Sequence, residues 1–224
     1  MTSLISKRKY LFAVVAVIIC LAAVGIIAYA AHLRASATAL VASARAIRST
    51  ADAEREIASW RKRAGQRFWQ ESDHPGGDHN YDGQIDNVLI ARLGVVKPTA
   101  VTLGLTMRKG ELRCVTVIMS TGWYPSTGAS VWVQEWFDSN SPRQFHISAK
   151  NRPWGAAVDF PASAPLGQRE KAFALNTRCF VQPRACKTAQ DILPTIWQLE
   201  APLSGYLSSN SSDLLRMHVG PDSP

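Results

Sequence analysis

Hydrophobic residues fall into three patterns along this chain, one after another. The first is a solid run. Leu11–Ala31 reads LFAVVAVIICLAAVGIIAYAA, 21 residues without a charge. As a helix it extends roughly 31 Å, close to the thickness of a bilayer's hydrocarbon core. Lys7, Arg8 and Lys9 precede it. By the positive-inside rule they hold the N-terminus in the cytoplasm and send the rest of the chain across. No second apolar run is long enough to span, so the expectation is a single-pass membrane protein that contacts lipid through residues 11–31. Ala28-Tyr29-Ala30 is also an acceptable signal-peptidase site, so secretion after cleavage near Ala30 is the alternative. The run is longer than the core usual for a signal peptide, which favours an uncleaved signal-anchor.

The second pattern is helical. Leu33, Ala37, Leu40, Ala44, Ile47 and Ala51 recur at alternating four- and three-residue steps, placing them on one helix face. Glu54 interrupts the stripe, which resumes at Ile57, Trp60, Ala64 and Phe68. Thr50 reads as an N-cap, with Asp52, Glu54 and Glu56 in the first two turns. Arg61, Lys62 and Arg63 sit in the last turn, and Gly65 follows. These signals predict a helix over Ala51–Ala64. Residues 32–70 are therefore expected to form a helical stalk. Its Ile57, Trp60 and Phe68 would pack on the following sheet. Self-association of the stalk through residues 33–51 is the other use of such a stripe.

The third pattern has a period of two. Val101–Arg108 alternates, Lys109-Gly110 turns, and Leu112–Ser120 returns with Cys114 inside it. Val131–Phe137, Phe145–Ser148 and Ala156–Phe160 follow, separated by turn-forming segments. Val88–Ala91 reads as a further strand. Later, Pro165–Asn176 and Thr188–Leu193 look helical, Pro194 can open another short helix, and beyond Pro202 the composition turns loose and polar. The predicted fold class is α+β: an N-terminal transmembrane helix continuing into a helical stalk, then an antiparallel meander of about five strands with packed helices. The expected divisions are 1–31 (cytoplasmic tip and anchor), 32–70 (stalk), 71–200 (extracytoplasmic domain) and 201–224 (flexible tail).

Charge changes the picture only once it is located. The formal net charge is +8, which suggests a nucleic-acid partner. However, residues 1–65 hold 10 of the 25 basic residues and only 3 of the 17 acidic ones. The rest of the chain is close to neutral and lacks a nucleic-acid footprint, so no nucleic-acid partner is expected. The basic residues instead flank the membrane segment, where they orient it. Export also decides how the cysteines are read. Cys179 and Cys186, with six residues between them in CFVQPRAC, are expected to form a local disulfide in an oxidising compartment such as the periplasm. Cys114 is expected to be buried in its strand and Cys20 in the apolar run.

One polar segment stands out. In HPGGDHNYDGQID, the residues Asp78, Asn80, Asp82, Gln84 and Asp86 alternate, with Gly83 among them. A sharply turning loop with alternate acidic side chains suits calcium, which takes six to eight oxygen ligands. The pattern resembles the calcium loops of EF-hands, dockerins and integrin-type propeller repeats. It departs from the EF-hand where Leu89 stands in place of the bidentate Glu. The resemblance implies a structural calcium ion held by these five residues, stiffening a loop that leads into the sheet. His74 and His79 flank the segment, but their spacing fits no common zinc pattern.

Catalytic motifs are absent: there is no phosphate-binding glycine loop, nucleophile elbow, His-Glu-x-x-His or dinucleotide fingerprint. Glu135 and Asp159 could pair as acid and base, but both read as solvent-facing strand residues. Trp132 and Trp136 share a strand face with Gln134 between them. They suggest either a ligand platform, together with Trp123, Tyr124 and Trp154, or simple packing. The layout of apolar segment, helix, sheet and cysteine loop resembles type IV pilins. The Gly before the apolar run and the Glu just inside it are missing, with Lys9-Tyr10 at the corresponding place, so pilin function is not expected. The expectation is a membrane-anchored binding or scaffolding protein of unknown ligand. The alternative is an exported hydrolase with a site near residues 78–86.

Overall fold

The computed structural model describes residues 2–62, 69–74, 77–94, 96–122, 128–138, 145–149, 155–181 and 186–199. The expected tail, Phe68, Trp123, Tyr124 and Trp154 lie outside them. The anchor and the first part of the stalk are a single helix, α1, Thr2–Ala46. Side chains from Tyr10 to Val24 are exposed all round, as a helix surrounded by lipid would be. This long apolar helix fits a single-pass membrane anchor.

Past the apolar run, α1 becomes part of the domain core. Leu33, Ala37, Leu40, Ala44 and Ile47 are buried, as their spacing predicts. They pack on the chain's own sheet and on a 3-10 turn, Thr177–Phe180. The stripe that could have served as a self-association seam is thus covered from within. Ala37 and Ala44 are fully buried, and their small side chains let the helix backbone approach the sheet. The stripe does not reach Ala51, which is exposed. The chain leaves helical geometry after Ala46 and restarts as α2, Thr50–Lys62, with a new buried stripe of Ala53, Ile57 and Trp60. The cap of α2 is Ser49, one residue before the expected Thr50. Ser49 Oγ accepts from Asp52 N–H, and the Asp52 carboxylate accepts from Ser49 O–H and Arg48 N–H. Thr50 Oγ1 accepts instead from Leu112 N–H, tying the helix start to the sheet.

The sheet has seven strands: β1 Trp69–His74, β2 Asp78–Asp86, β3 Thr99–Arg108, β4 Glu111–Thr121, β5 Ala129–Trp136, β6 His146–Ala149 and β7 Gly155–Pro161. Their order is β1-β2-β3-β4-β5-β7-β6. The meander expectation therefore holds only in part, because β7 inserts between β5 and β6 and runs parallel to β5. Burial explains the swap. Residues 155–158 of β7 are buried on both faces, which suits an interior position. β6 is only four residues long and begins at an exposed His146, which suits an edge. Two further corrections concern the segment between stalk and sheet. Residues 78–86 form strand β2 rather than a loop, and the expected strand at Val88–Ala91 is a short helix, α3, Val88–Arg92.

Helices cover one sheet face. Trp60 of α2 is fully buried, and its indole lies 3.2 Å from where a Cβ on Gly83 would stand. The glycine in β2 makes room for that ring. On the same face, α4 (Leu166–Ala172) sends Arg169 onto Glu135 of β5. The other face carries Thr116, Ile118, Trp132, Gln134 and Trp136, all half-buried. The disulfide Cys179–Cys186 is present, with Cα atoms 5.7 Å apart. It joins the 3-10 turn to the segment entering α5, Ala189–Ile192, whose Thr188–Asp191 pair forms a capping box. Thr99 and Thr121, at adjacent ends of β3 and β4, donate to the carbonyls of Cys179 and Cys186. The disulfide loop is thus fastened to the end of the sheet.

Candidate functional site

The candidate site is a groove where α1 leaves its apolar run and enters the domain. It encloses about 570 Å³. One wall is α1 itself, through Tyr29, His32, Ser36, Ala39 and Ser43. The facing wall is α2, the end of β2 and α3, through Glu56, Gln84, Asp86, Val88 and Arg92. Leu33, Leu40 and Trp60 form a buried apolar floor. From Tyr29 to Ser43 the helical wall runs roughly 21 Å, so the cleft is long rather than round.

Local structure fixes the polar rim. Glu56 accepts a hydrogen bond of 2.8 Å from Trp60 Nε1, which holds its carboxylate one helical turn from the floor. Asp86 accepts from Val88 N–H at 3.2 Å, so it satisfies a free donor in the first turn of α3. Gln84 reaches Asp86 at 3.4 Å. Behind the rim, Asn87 is wholly buried and makes three bonds. It donates to the carbonyls of Lys97 and Phe180 and accepts from Thr99 N–H. Asn87 therefore locks α3, the start of β3 and the disulfide-bearing turn to one another. An apolar floor with hydrogen-bonding walls suits a ligand that is itself part apolar and part polar.

The residues expected to bind calcium are spread out along β2. Side chains of Asp78, Asn80, Asp82, Gln84 and Asp86 point to one face of a strand, at steps of about 6.6 Å. Asp78 and Asp86 are therefore separated by the strand's length and cannot close around one ion in this conformation. Asp78 is paired instead with Arg113 at 3.0 Å and Arg108 at 3.4 Å, and Arg113 also bonds Asp138. Asp82 lies beside Gly104, where its Oδ1 is 2.8 Å from a built Cβ position. Gln84 and Asp86 belong to the groove. His79 bonds Asp73 at 2.5 Å. Among the described residues, no group of three or more His, Cys, Asp or Glu is placed to hold a metal.

The proposed acid–base pair also separates. Glu135 is not solvent-facing but fully buried on the helical face, held by Arg169 at 2.6 Å. Burial pushes its carboxyl up, opposed by Arg169 and then Arg48. Asp159 lies level with Gln134 on the other face, 3.9 Å from His146. The two cannot flank one bond. Cys114 is buried, and burial pushes its thiol up to about 12, so it stays protonated at neutral pH and is a poor nucleophile.

Arg169 is the residue that sequence reasoning missed most completely. It is buried within a polar stretch of α4, and it donates to the carbonyls of Ala44, Arg45 and Ile47 as well as to Glu135. It thereby satisfies the end of α1 and fixes the position of the groove's helical wall. The groove's own signal is a second stripe on α1, Tyr29-His32-Ser36-Ala39-Ser43, beside the buried one. That stripe is polar enough to pass for solvent-facing.

No protein-family model, no curated protein and no solved structure matches this chain.

Proposed function

We propose that this is a membrane-anchored, extracytoplasmic binding protein whose groove takes an elongated, amphipathic small molecule. One observation carries the reading: the anchor helix forms one wall of a cleft of about 570 Å³ whose other wall is the folded domain. A ligand in that cleft contacts the anchor and the domain together. The finer topology is part of the proposal. Lys7, Arg8 and Lys9 keep the N-terminus in the cytoplasm, the uncleaved run acts as signal-anchor, and the disulfide-bearing domain lies in an oxidising compartment such as the periplasm. Binding is favoured over hydrolysis because the groove's carboxylates, Glu56 and Asp86, are engaged in holding Trp60 and α3.

The test is native mass spectrometry of the full chain, purified from membranes in mild detergent. The wild type should carry a bound amphiphile as a discrete mass increment. Ala39→Trp, made at an exposed helix position on the groove wall, should lose the increment while keeping its melting temperature. A wild-type protein without any adduct would overturn the reading.

A further inference from the structure

We infer that α3 is a membrane-seated wedge: Leu89 and Leu93 sit in the headgroup–acyl boundary of the bilayer beside the anchor, so the groove opens at the lipid surface. This rests on the reading that the apolar half of α1 spans a membrane.

Three observations meet at this place. The first is exposure. Leu89 and Leu93 are 61% and 62% exposed. They are four residues apart, Leu89 within α3 and Leu93 at its C-cap with helical backbone angles, so they share one face. Outside the anchor, the only other large apolar side chains so exposed among the described residues are Leu166 and Trp197. Single exposed leucines are ordinary, but two on one turn form a continuous apolar edge.

The second is position. Leu89, Val88 and Arg92 line the groove opposite Tyr29, His32 and Leu33, where the apolar run ends. The domain reaches further still along the helix. Ile26 and Ala30, inside the run, are partly buried against the core. The stretch from Ile26 to Ala31 is roughly 7.5 Å of helix, comparable to the about 5–10 Å to which interfacial apolar faces sink. If the run fills the bilayer, this end of the domain lies at or just below the headgroups.

The third is chemistry. The segment VLIARLG from Val88 to Gly94 contains no acid, and its one charge is Arg92. An arginine next to leucines can lay its stem along the apolar surface and place its guanidinium at the phosphates. The carboxylate nearest in sequence, Asp86, accepts from Val88 N–H. Tyr29 is 38% exposed at the end of the run, where membrane proteins concentrate amphipathic aromatics. The wedge is stiff because Asn87 and the carbonyls of Lys97 and Phe180 fasten its base. It can therefore set the tilt of the whole domain on the membrane.

The experiment uses the full chain in phosphatidylcholine–phosphatidylglycerol vesicles. A small fluorescent amino acid is encoded singly at position 18, 89, 93 or 166, and quenching is read from lipids carrying a nitroxide at a shallow or a deep acyl carbon. Position 18 reports the anchor. Position 166 is a distal control, because Arg169 of its helix binds the carbonyls of Ala44, Arg45 and Ile47, far along α1 from Tyr29. The expected result is deep-lipid quenching at 18, several-fold stronger shallow-lipid quenching at 89 and 93 than at 166, and almost none at 166. Quenching at 18 with 89 and 93 equal to 166 would overturn the wedge and leave the anchor standing. No quenching at 18 would overturn both. Two independent wedge positions guard against one substitution disturbing the fold.

Discussion

Arg169 and Glu135 form a buried ion pair between α4 and β5. Both are buried, and together they join β5, α4 and the end of α1. Desolvation makes such a pair costly to form and costlier to break. Arg169→Met should lower unfolding free energy by about 3–5 kcal/mol, because Glu135 and the carbonyls of Ala44, Arg45 and Ile47 lose the guanidinium that they share. Adding Glu135→Leu should recover part of that loss. Chemical denaturation of the two variants checks both statements, and a loss below about 1 kcal/mol from Arg169→Met would contradict them. None of this was legible in the sequence. Glu135 stands in a strand that otherwise alternates as expected, and Arg169 sits in a polar run, PLGQREK. Charged residues in such places are usually solvated, and only tertiary structure shows that these two meet. Cys114 and the Cys179–Cys186 pair were legible, since an apolar strand position and a short Cys spacing each have a direct physical reading.

At the scale of elements, periodicity predicted the helices and central strands, and local chemistry misplaced some of their ends. The Ser49–Asp52 cap is one example. Either Ser49 or Thr50 could cap α2; the chain uses Ser49 because Thr50 is engaged by Leu112 N–H across the molecule. The Asp52 carboxyl is held below its usual range first by Arg48 N–H, then by Ser49 O–H. A lowered folded-state value means that Asp52 stabilises the fold above its unfolded value of 3.8, and that this contribution is lost as pH falls through the lowered folded value. In an NMR titration the Asp52 midpoint should lie below 3.8 and rise toward it in Ser49→Ala; an unchanged midpoint would refute the cap. The loop expected at 78–86 is a strand for a different reason. Alternating Asp and Asn with a glycine is turn chemistry in isolation. Here the alternation is strand alternation, and Gly83 answers to Trp60, twenty-three residues earlier. Likewise the order of β6 and β7 depends on which hairpin arm is apolar enough for the interior. Sequence order alone does not reveal that.

At the scale of the whole molecule, one helix does two jobs. From Tyr10 to Val24 it is exposed and apolar, and from Leu33 onward one of its faces belongs to the core. Residues 33–47 pack against the sheet and the disulfide-bearing turn. The groove and α3 consequently adjoin the end of the apolar run on α1, whose other end is bound by Arg169. This arrangement makes cleavage and anchoring distinct in consequence. Under the proposed anchoring, cutting after Ala30 would separate the domain from the apolar run and remove Tyr29 from the groove wall. The most direct test is the intact mass of the chain recovered from the membrane fraction of expressing cells. The account predicts the full-length chain, about 24.5 kDa, with residues 11–31 retained. A mature protein beginning at Ala31, recovered in the soluble fraction, would contradict it.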